Sequence, residues 1–310
     1  MNRIVRIGTR ESELAVWQAS RVKQLLQEHG YPSELIYIKS EGDIDLKTPL
    51  YEMGVQGIFT RSLDNALLND RIDVAVHSLK DVPTQLPQGI VHCAVLKRGS
   101  YKDLLVGSTT SSANDIGRDK TIPFIIATSS IRRKAQWLGR YPNHTIENLR
   151  GNVNTRLKKL EESNWNGAIF AAAGLERIGL RPENSVELDW MLPAPAQGAI
   201  TVVCRKEDTY MVDACRHFND EDTALCTRIE RDFLRALLGG CSTPISALAE
   251  IKKGIVSFRG NIISIDGREK AEIEKTIEVS NANMLGEKAA AELLLKGGKK
   301  IADSIRNGAK

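Results

Sequence analysis

Residues 4–39, IVRIGTRESELAVWQASRVKQLLQEHGYPSELIYIK, decide the fold class. Ile4 to Gly8 is a short β-branched run and reads as a strand. From Glu11 to Gly30 the period changes: Ala15, Ala19, Val22 and Leu26 recur every three or four residues, which predicts an amphipathic helix. Gly30 supplies its stop, and Glu34 to Lys39 returns to a strand pattern. Strand, helix, strand in this order predicts an α/β protein with largely parallel sheets.

The alternation continues outward. Ser62 to Leu68 reads as helix, and Ile72 to His77 and Ile90 to Leu96 as strands. Between the first two helices, Glu41 to Gly57 is polar and broken by Pro49, Gly54 and Gly57, so it is expected to be a mobile loop. The stretch from Gly99 to Asp119 is rich in Ser, Thr and Gly, and a domain boundary is placed near residue 98. Strands at Phe124 to Ala127, Thr145 to Leu149 and Ala168 to Ala172 then interleave with helices at Ser130 to Arg140 and Val153 to Ser163. Gln197 to Cys204 is strand-like. After Asp220 a helix, Thr223 to Leu238, precedes strands at Ala247 to Ile251, Ile255 to Asn261 and Glu274 to Val279 and a closing helix from Met284. Strands grouped between helices predict a small α+β domain with an antiparallel sheet.

The chain has 310 residues, 42% hydrophobic and 26% charged, a composition that excludes collagen-like, low-complexity and disordered classes. The longest mostly apolar run, within Gly167 to Leu175, is far short of the roughly 20 residues that span a bilayer. The first residues lack a signal-peptide pattern, so a cytoplasmic protein is expected. Five cysteines without a C-x-x-C pair, and five histidines scattered singly, argue against a metal site. Neither G-x-x-x-x-G-K-[ST] nor G-x-G-x-x-G occurs, so no nucleotide motif is present.

Charge is uneven. Residues 118–159 carry ten Lys and Arg against Asp119 and Glu147, a local net of +8 in a chain whose net charge is only +4. Such concentration predicts an anionic ligand. In open α/β sheets ligands bind beyond the carboxyl ends of strands. The first such end, Gly8-Thr9-Arg10-Glu11-Ser12, offers hydroxyls and an arginine, but taken alone it is better explained as a helix N-cap with a solvated Arg. The end Thr128-Ser129-Ser130-Ile131-Arg132-Arg133 is sharper: two arginines in a first helical turn oppose the helix dipole at about 0.3 to 1 kcal/mol each, and a bound anion would reverse that sign. Arg150-Gly151-Asn152-Val153-Asn154-Thr155-Arg156 repeats the theme, with Gly151 permitting close backbone approach. Arg177 follows a third strand, beside Glu176, where a solvated helix face is the competing explanation.

Val76-His77-Ser78-Leu79-Lys80-Asp81-Val82-Pro83 brings a carboxylate beside an ammonium, suited to steadying a cation or moving protons, or else simply a surface turn closed by proline. Gly239-Gly240-Cys241-Ser242-Thr243-Pro244 places a thiol on a loop, where it could serve as a nucleophile or attachment point. The other four cysteines fall in strand or helix patterns and read as small buried residues.

These strings, together with Pro195-Ala196-Gln197-Gly198-Ala199, resemble the porphobilinogen deaminase family, the hydroxymethylbilane synthases, over nearly the whole chain. The resemblance implies two α/β domains similar to periplasmic binding proteins, residues 1–97 with 197–217 and residues 98–196, followed by a third α+β domain, 218–310. It implies a transferase of heme and tetrapyrrole biosynthesis that deaminates four porphobilinogen molecules and joins them into hydroxymethylbilane, acting as a cytoplasmic monomer. It implies a dipyrromethane cofactor bound covalently to Cys241. Asp81 would be the catalytic carboxylate. Lys80, Ser129, Arg132, Arg133, Arg150 and Gly151 would hold the cofactor, and Arg10, Ser12, Thr128, Ser130, Arg156 and Arg177 the substrate. Each added ring brings two carboxylates, which accounts for the concentrated positive charge.

The chain departs from the family in three places. Gly54-Val55-Gln56-Gly57 lacks the usual loop lysine, for which Arg61 is a nearby cationic substitute; Ala127 replaces a common Gly, and Ser242-Thr243 a frequent Gln-Val. Two other functions compete. A small-anion binding protein of the same fold predicts no covalent adduct at Cys241. A nucleic-acid binder predicts steeply salt-dependent binding, but the arginines lie at strand ends and only 5% of residues are aromatic.

Overall fold

The computed structural model describes residues 3–39, 60–237 and 243–308. The chain opens with β1 (Val5–Thr9), α1 (Glu13–Glu28), β2 (Ser33–Tyr37), α2 (Arg61–Leu68), β3 (Val74–Ser78) and β4 (Ile90–Val95). Next come β5 (Asp103–Gly107), β6 (Ile125–Ala127), α3 (Ile131–Arg140), β7 (Thr145–Glu147), α4 (Val153–Glu162), β8 (Gly167–Ala171), α5 (Ala172–Arg177) and β9 (Ser185–Glu187). It closes with β10 (Ile200–Arg205), α6 (Thr209–Arg216), α7 (Glu221–Ala236), β11 (Ile245–Lys252), β12 (Ile255–Ile263), β13 (Lys270–Glu278), α8 (Leu285–Leu293) and α9 (Lys299–Gly308). Two compact units contain them, the first holding described residues 3–39, 60–99 and 198–225, the second the remainder.

In the first unit a five-stranded sheet runs β2-β1-β3-β10-β4. Its two faces are apolar, as strands covered on both sides require. Val5, Ile7, Val74 and Val76 pack with Ala19, Val22 and Leu26 of α1 and with α6, while Ala75 and Val203 meet Leu63, Ala66 and Leu67 of α2. Gly8 lets α2 and its following turn close in: a Cβ there would lie 2.3 Å from Ile72 Cδ1.

The second unit contains a sheet of order β7-β6-β8-β5-β9. Its pairing repeats that of the first. Each sheet has one strand, second from the edge, flanked by two parallel neighbours, β1 by β2 and β3 in one, β6 by β7 and β8 in the other. Each is completed by two antiparallel pairings, β10 with β3 and β4, and β5 with β8 and β9. The sheets are therefore mixed, where the sequence suggested largely parallel ones. In each, the reversed strand is the first to follow a passage of the chain from one unit to the other. β10 begins beside the end of β3, where Leu79 N–H donates to Ala199 O at 3.0 Å, and so must run back along it.

The second unit also holds the antiparallel sheet β11-β12-β13. Phe233 of α7 lies edge-on to Phe258, ring centres 5.1 Å apart, and packs against Gly260, where a Cβ would come within 2.7 Å of its ring. Four elements were not expected from the sequence: β5, β9, α5 and α6. The closing helix is two, α8 and α9, with Gly297 at φ +99° between them. Among the described residues no helix is long and apolar enough to cross a membrane.

Candidate functional site

In the first unit, the parallel pairing of β1 with β3 puts their carboxyl ends side by side. Thr9, Arg10 and Ser12 end and follow one strand, and His77 to Asp81 end and follow the other. Gln18 of α1 donates Nε2 to Ser78 Oγ at 2.8 Å and ties the second end to the helix. Leu79–Asp81 then form one 3-10 turn, closed by Val82 N–H on Leu79 O at 3.2 Å. Leu79 and Val82 are each 2% exposed. Three residues apart in such a turn they share a face, so burying them turns Lys80 and Asp81 to the other side, where both are half-buried. Ser12 occupies the N-cap position of α1 without a side-chain capping bond, so its hydroxyl is not committed to the helix. Cys93, beside the sheet core, is half-buried, and Cys204, Cys215 and Cys226 are buried, as their patterns suggested.

His77 is buried, and desolvation, helped by the positive charge of Arg10, pushes its pKa down to about 3. It is a neutral imidazole at neutral pH, unsuited to donate a proton as imidazolium.

In the second unit, β6 and β7 are parallel neighbours, and Thr128 N–H extends their ladder to Glu147 O at 2.8 Å. Ser129 Oγ sits 2.6 Å from both Asn148 Oδ1 and Leu149 O, locking the two strand ends together. Ser130 is the N-cap of α3, its Oγ accepting from Arg133 N–H at 3.4 Å. Asn152 caps α4 by accepting from Thr155 N–H at 2.9 Å. Gly151 has φ +114°, which only glycine adopts readily, and a Cβ there would lie 2.8 Å from Thr155 Cγ2. Thr128, Ser129, Ser130, Arg150, Gly151 and Arg156 are thus gathered around one pair of strand ends, with Arg150 3% exposed and Arg156 half-buried.

Arg132 and Arg133 differ from expectation. They are buried, not solvated, and the protein supplies a carboxylate of its own to both. Arg133 donates Nε and Nη2 to Asp103 Oδ1 at 3.0 and 2.7 Å, and Nη1 to Ile169 O at 2.9 Å. Arg132 pairs Nη2 with Asp103 Oδ2 at 2.8 Å and donates Nη1 to Leu192 O, also at 2.8 Å. Asp103 is fully buried, and Gln197 Nε2 also donates to it at 2.9 Å. One carboxylate therefore faces two guanidinium charges. Burial lowers the pKa of Arg132, partly offset by Asp103. Asp103 escaped sequence reasoning because it opens β5, inside the stretch read as a Ser, Thr and Gly connection. The buried run Leu104-Leu105-Val106 was the signal available.

Arg177 ends α5, after β8, and burial pulls its pKa down to about 10, with Glu176 acting in the opposite sense. Arg61 is exposed at the start of α2. Cys241, its neighbours Gly239, Gly240 and Ser242, and the segment 54–57 lie outside the described residues.

A group rich in carboxylates fits the second unit's strand ends. The guanidinium pair has a surplus positive charge, Arg132 Nε is buried without a hydrogen-bond partner, and Gly151 forms a cradle that a side chain would fill.

Comparison with known proteins gives the same direction. Residues 5–213 match the family model for the porphobilinogen deaminase, dipyromethane cofactor binding domain, and residues 224–295 that for the porphobilinogen deaminase C-terminal domain. A porphobilinogen deaminase of Pelobacter propionicus is 38% identical over 98% of this chain and 97% of its own. The chloroplastic enzyme of Oryza sativa subsp. japonica is 39% identical over 98% of this chain and 87% of its own. A probable porphobilinogen deaminase of Methanocaldococcus jannaschii is 41% identical over 94% and 99%. Among solved structures, a periplasmic binding protein of Salmonella typhimurium with high arginine specificity is 10% identical, with a TM-score of 0.40 over 72% of this chain and 94% of that one. The matched models and relatives favour the enzyme over a binding protein that merely shares its fold. The chain belongs to the porphobilinogen deaminase family.

Proposed function

We propose that this chain joins four porphobilinogen molecules head to tail into hydroxymethylbilane, from a dipyrromethane primer held by a thioether to Cys241. When bound, that group supplies the tethered acceptor pyrrole. The remaining work falls to the chain's own side chains. Loss of ammonia from the substrate's aminomethyl group leaves a methylene-pyrrole cation, and the Asp81 carboxylate offsets that charge and accepts a hydrogen bond from the pyrrole N–H. Lys80, on the same turn, meets a carboxylate. Arg150 and Arg156, with the amides around Gly151 and the hydroxyls of Thr128, Ser129 and Ser130, bind acetate and propionate side chains. Arg132 takes part through Nε, while Arg133 holds the strand end in place through Asp103 and Ile169. Arg10 and Ser12 bind substrate carboxylate beside Asp81, and Arg177 adds positive charge at the third strand end. The chain is read as three domains, 1–97 with 197–217, 98–196 and 218–310, working as a cytoplasmic monomer.

The observation that carries the reading is the gathering of hydroxyls, Gly151 and arginines at the ends of β6 and β7, in a chain matched by a cofactor-binding family model. Asp81→Ala tests it. The variant keeps its covalent adduct by intact mass and loses at least a hundredfold in porphobilinogen turnover. Near-normal turnover removes Asp81 from the chemistry.

A further inference from the structure

A cavity of about 640 Å³ lies in the second unit between α3, the segment 189–193 and the antiparallel sheet. None of the residues assigned to catalysis, substrate or cofactor lines it. Its polar features have a common origin in the sheet register, which aligns Ser246, Asn261 and Glu272 in one row across β11, β12 and β13. Ser246 Oγ accepts from Gln136 Nε2 of α3 at 3.1 Å. Asn261, its neighbour in the row, lines the cavity, is only 4% exposed, and has an Oδ1 without a hydrogen-bond partner. A buried amide oxygen left unmatched is costly, so a donor from outside the protein has a place prepared for it.

The rest of the lining narrows the donor's chemistry. Buried Leu248, Ile263 and Met191 give an apolar wall. Five lysine and arginine side chains line the cavity against three carboxylates. Lys102 is paired with Asp189 and Lys270 with Glu272. Arg140 is exposed at the end of α3 and has no carboxylate partner among the described residues. Its guanidinium lies 4.8 Å from the centre of the Trp190 ring, which steadies the cation at the cavity wall.

We infer that this cavity is a second binding site, for a small organic acid with an apolar body and one N–H donor. The donor bonds Asn261 Oδ1, the body lies on the apolar wall, and the carboxylate meets Arg140. Such a ligand occupies a place separate from the strand ends that serve the reaction, so its binding and turnover can be measured independently.

Calorimetric titration of the intact enzyme with indole-3-carboxylate and with 1-methylindole-3-carboxylate tests the assignment. The first probe binds about tenfold more tightly than the second, which lacks the donor. Asn261→Leu abolishes that difference, Arg140→Ala weakens both probes severalfold, and neither variant changes porphobilinogen turnover. Arg140 is exposed, so its variant folds even if the sheet resists a change at Asn261. Equal binding of the two probes, no binding at all, or a preference that survives Asn261→Leu or is indifferent to Arg140→Ala overturns the site.

Discussion

Lys80 and Asp81 are presented by their neighbours. Burying Leu79 and Val82, at about 1.5 to 3 kcal/mol for each apolar side chain, fixes one face of the short turn and leaves the charged pair on the other. His77, two residues before the turn, is held neutral by the same burial. Its folded-state pKa lies near 3 and its unfolded value near 6.5. Between those values the unfolded chain binds the extra proton, so the contribution is complete above about pH 6.5 and is lost as pH falls toward 3. His77→Gln, which carries no titrating ring, is therefore expected to lose less stability than the wild type when urea unfolding is compared at pH 7 and pH 4.5. Equal losses in both proteins would show that His77 accepts a proton readily in the folded state.

At the scale of elements, the reversed strand β5 does more than complete its sheet. It delivers Asp103 beneath the first turn of α3, where two arginines converge on one carboxylate. Removing a buried partner costs more than forming the pair gains, because the stranded charges keep their desolvation penalty. Asp103→Asn should therefore lower stability by about 3 to 5 kcal/mol, read from the urea midpoint. A loss below about 1 kcal/mol would mean that backbone carbonyls alone satisfy Arg132 and Arg133.

Periodicity and strand-end composition made β1, α1, β3, α3, α4 and the antiparallel trio legible, since each carries its own local pattern. β5 was not, because its five residues lie in a polar stretch and their burial comes from strands far away in sequence. The same holds within the site. The hydroxyl and arginine strings marked where polar residues gather at the strand ends, but nothing near Arg132 and Arg133 pointed to a carboxylate 30 residues upstream of Arg133. The orientation of β10 depends on where the chain re-enters the sheet, which no local pattern encodes.

At the scale of the whole molecule, two sheets of identical pairing pattern each place polar residues at the ends of parallel strands, and the second shares its unit with the three-stranded sheet. On the proposed reading, the first unit contributes a carboxylate, Asp81, and the second clustered arginines. That division makes sense for a reaction in which each added ring brings one transient cation and two permanent carboxylates. The central claim is that the growing product is tethered to Cys241. Intact-protein mass spectrometry of the native enzyme, with Cys241→Ala as the control, addresses it directly. The account predicts an excess mass equal to two condensed porphobilinogen units in the native chain and its absence in the variant. An unmodified mass that persists after incubation with porphobilinogen, or an adduct that survives in Cys241→Ala, contradicts it.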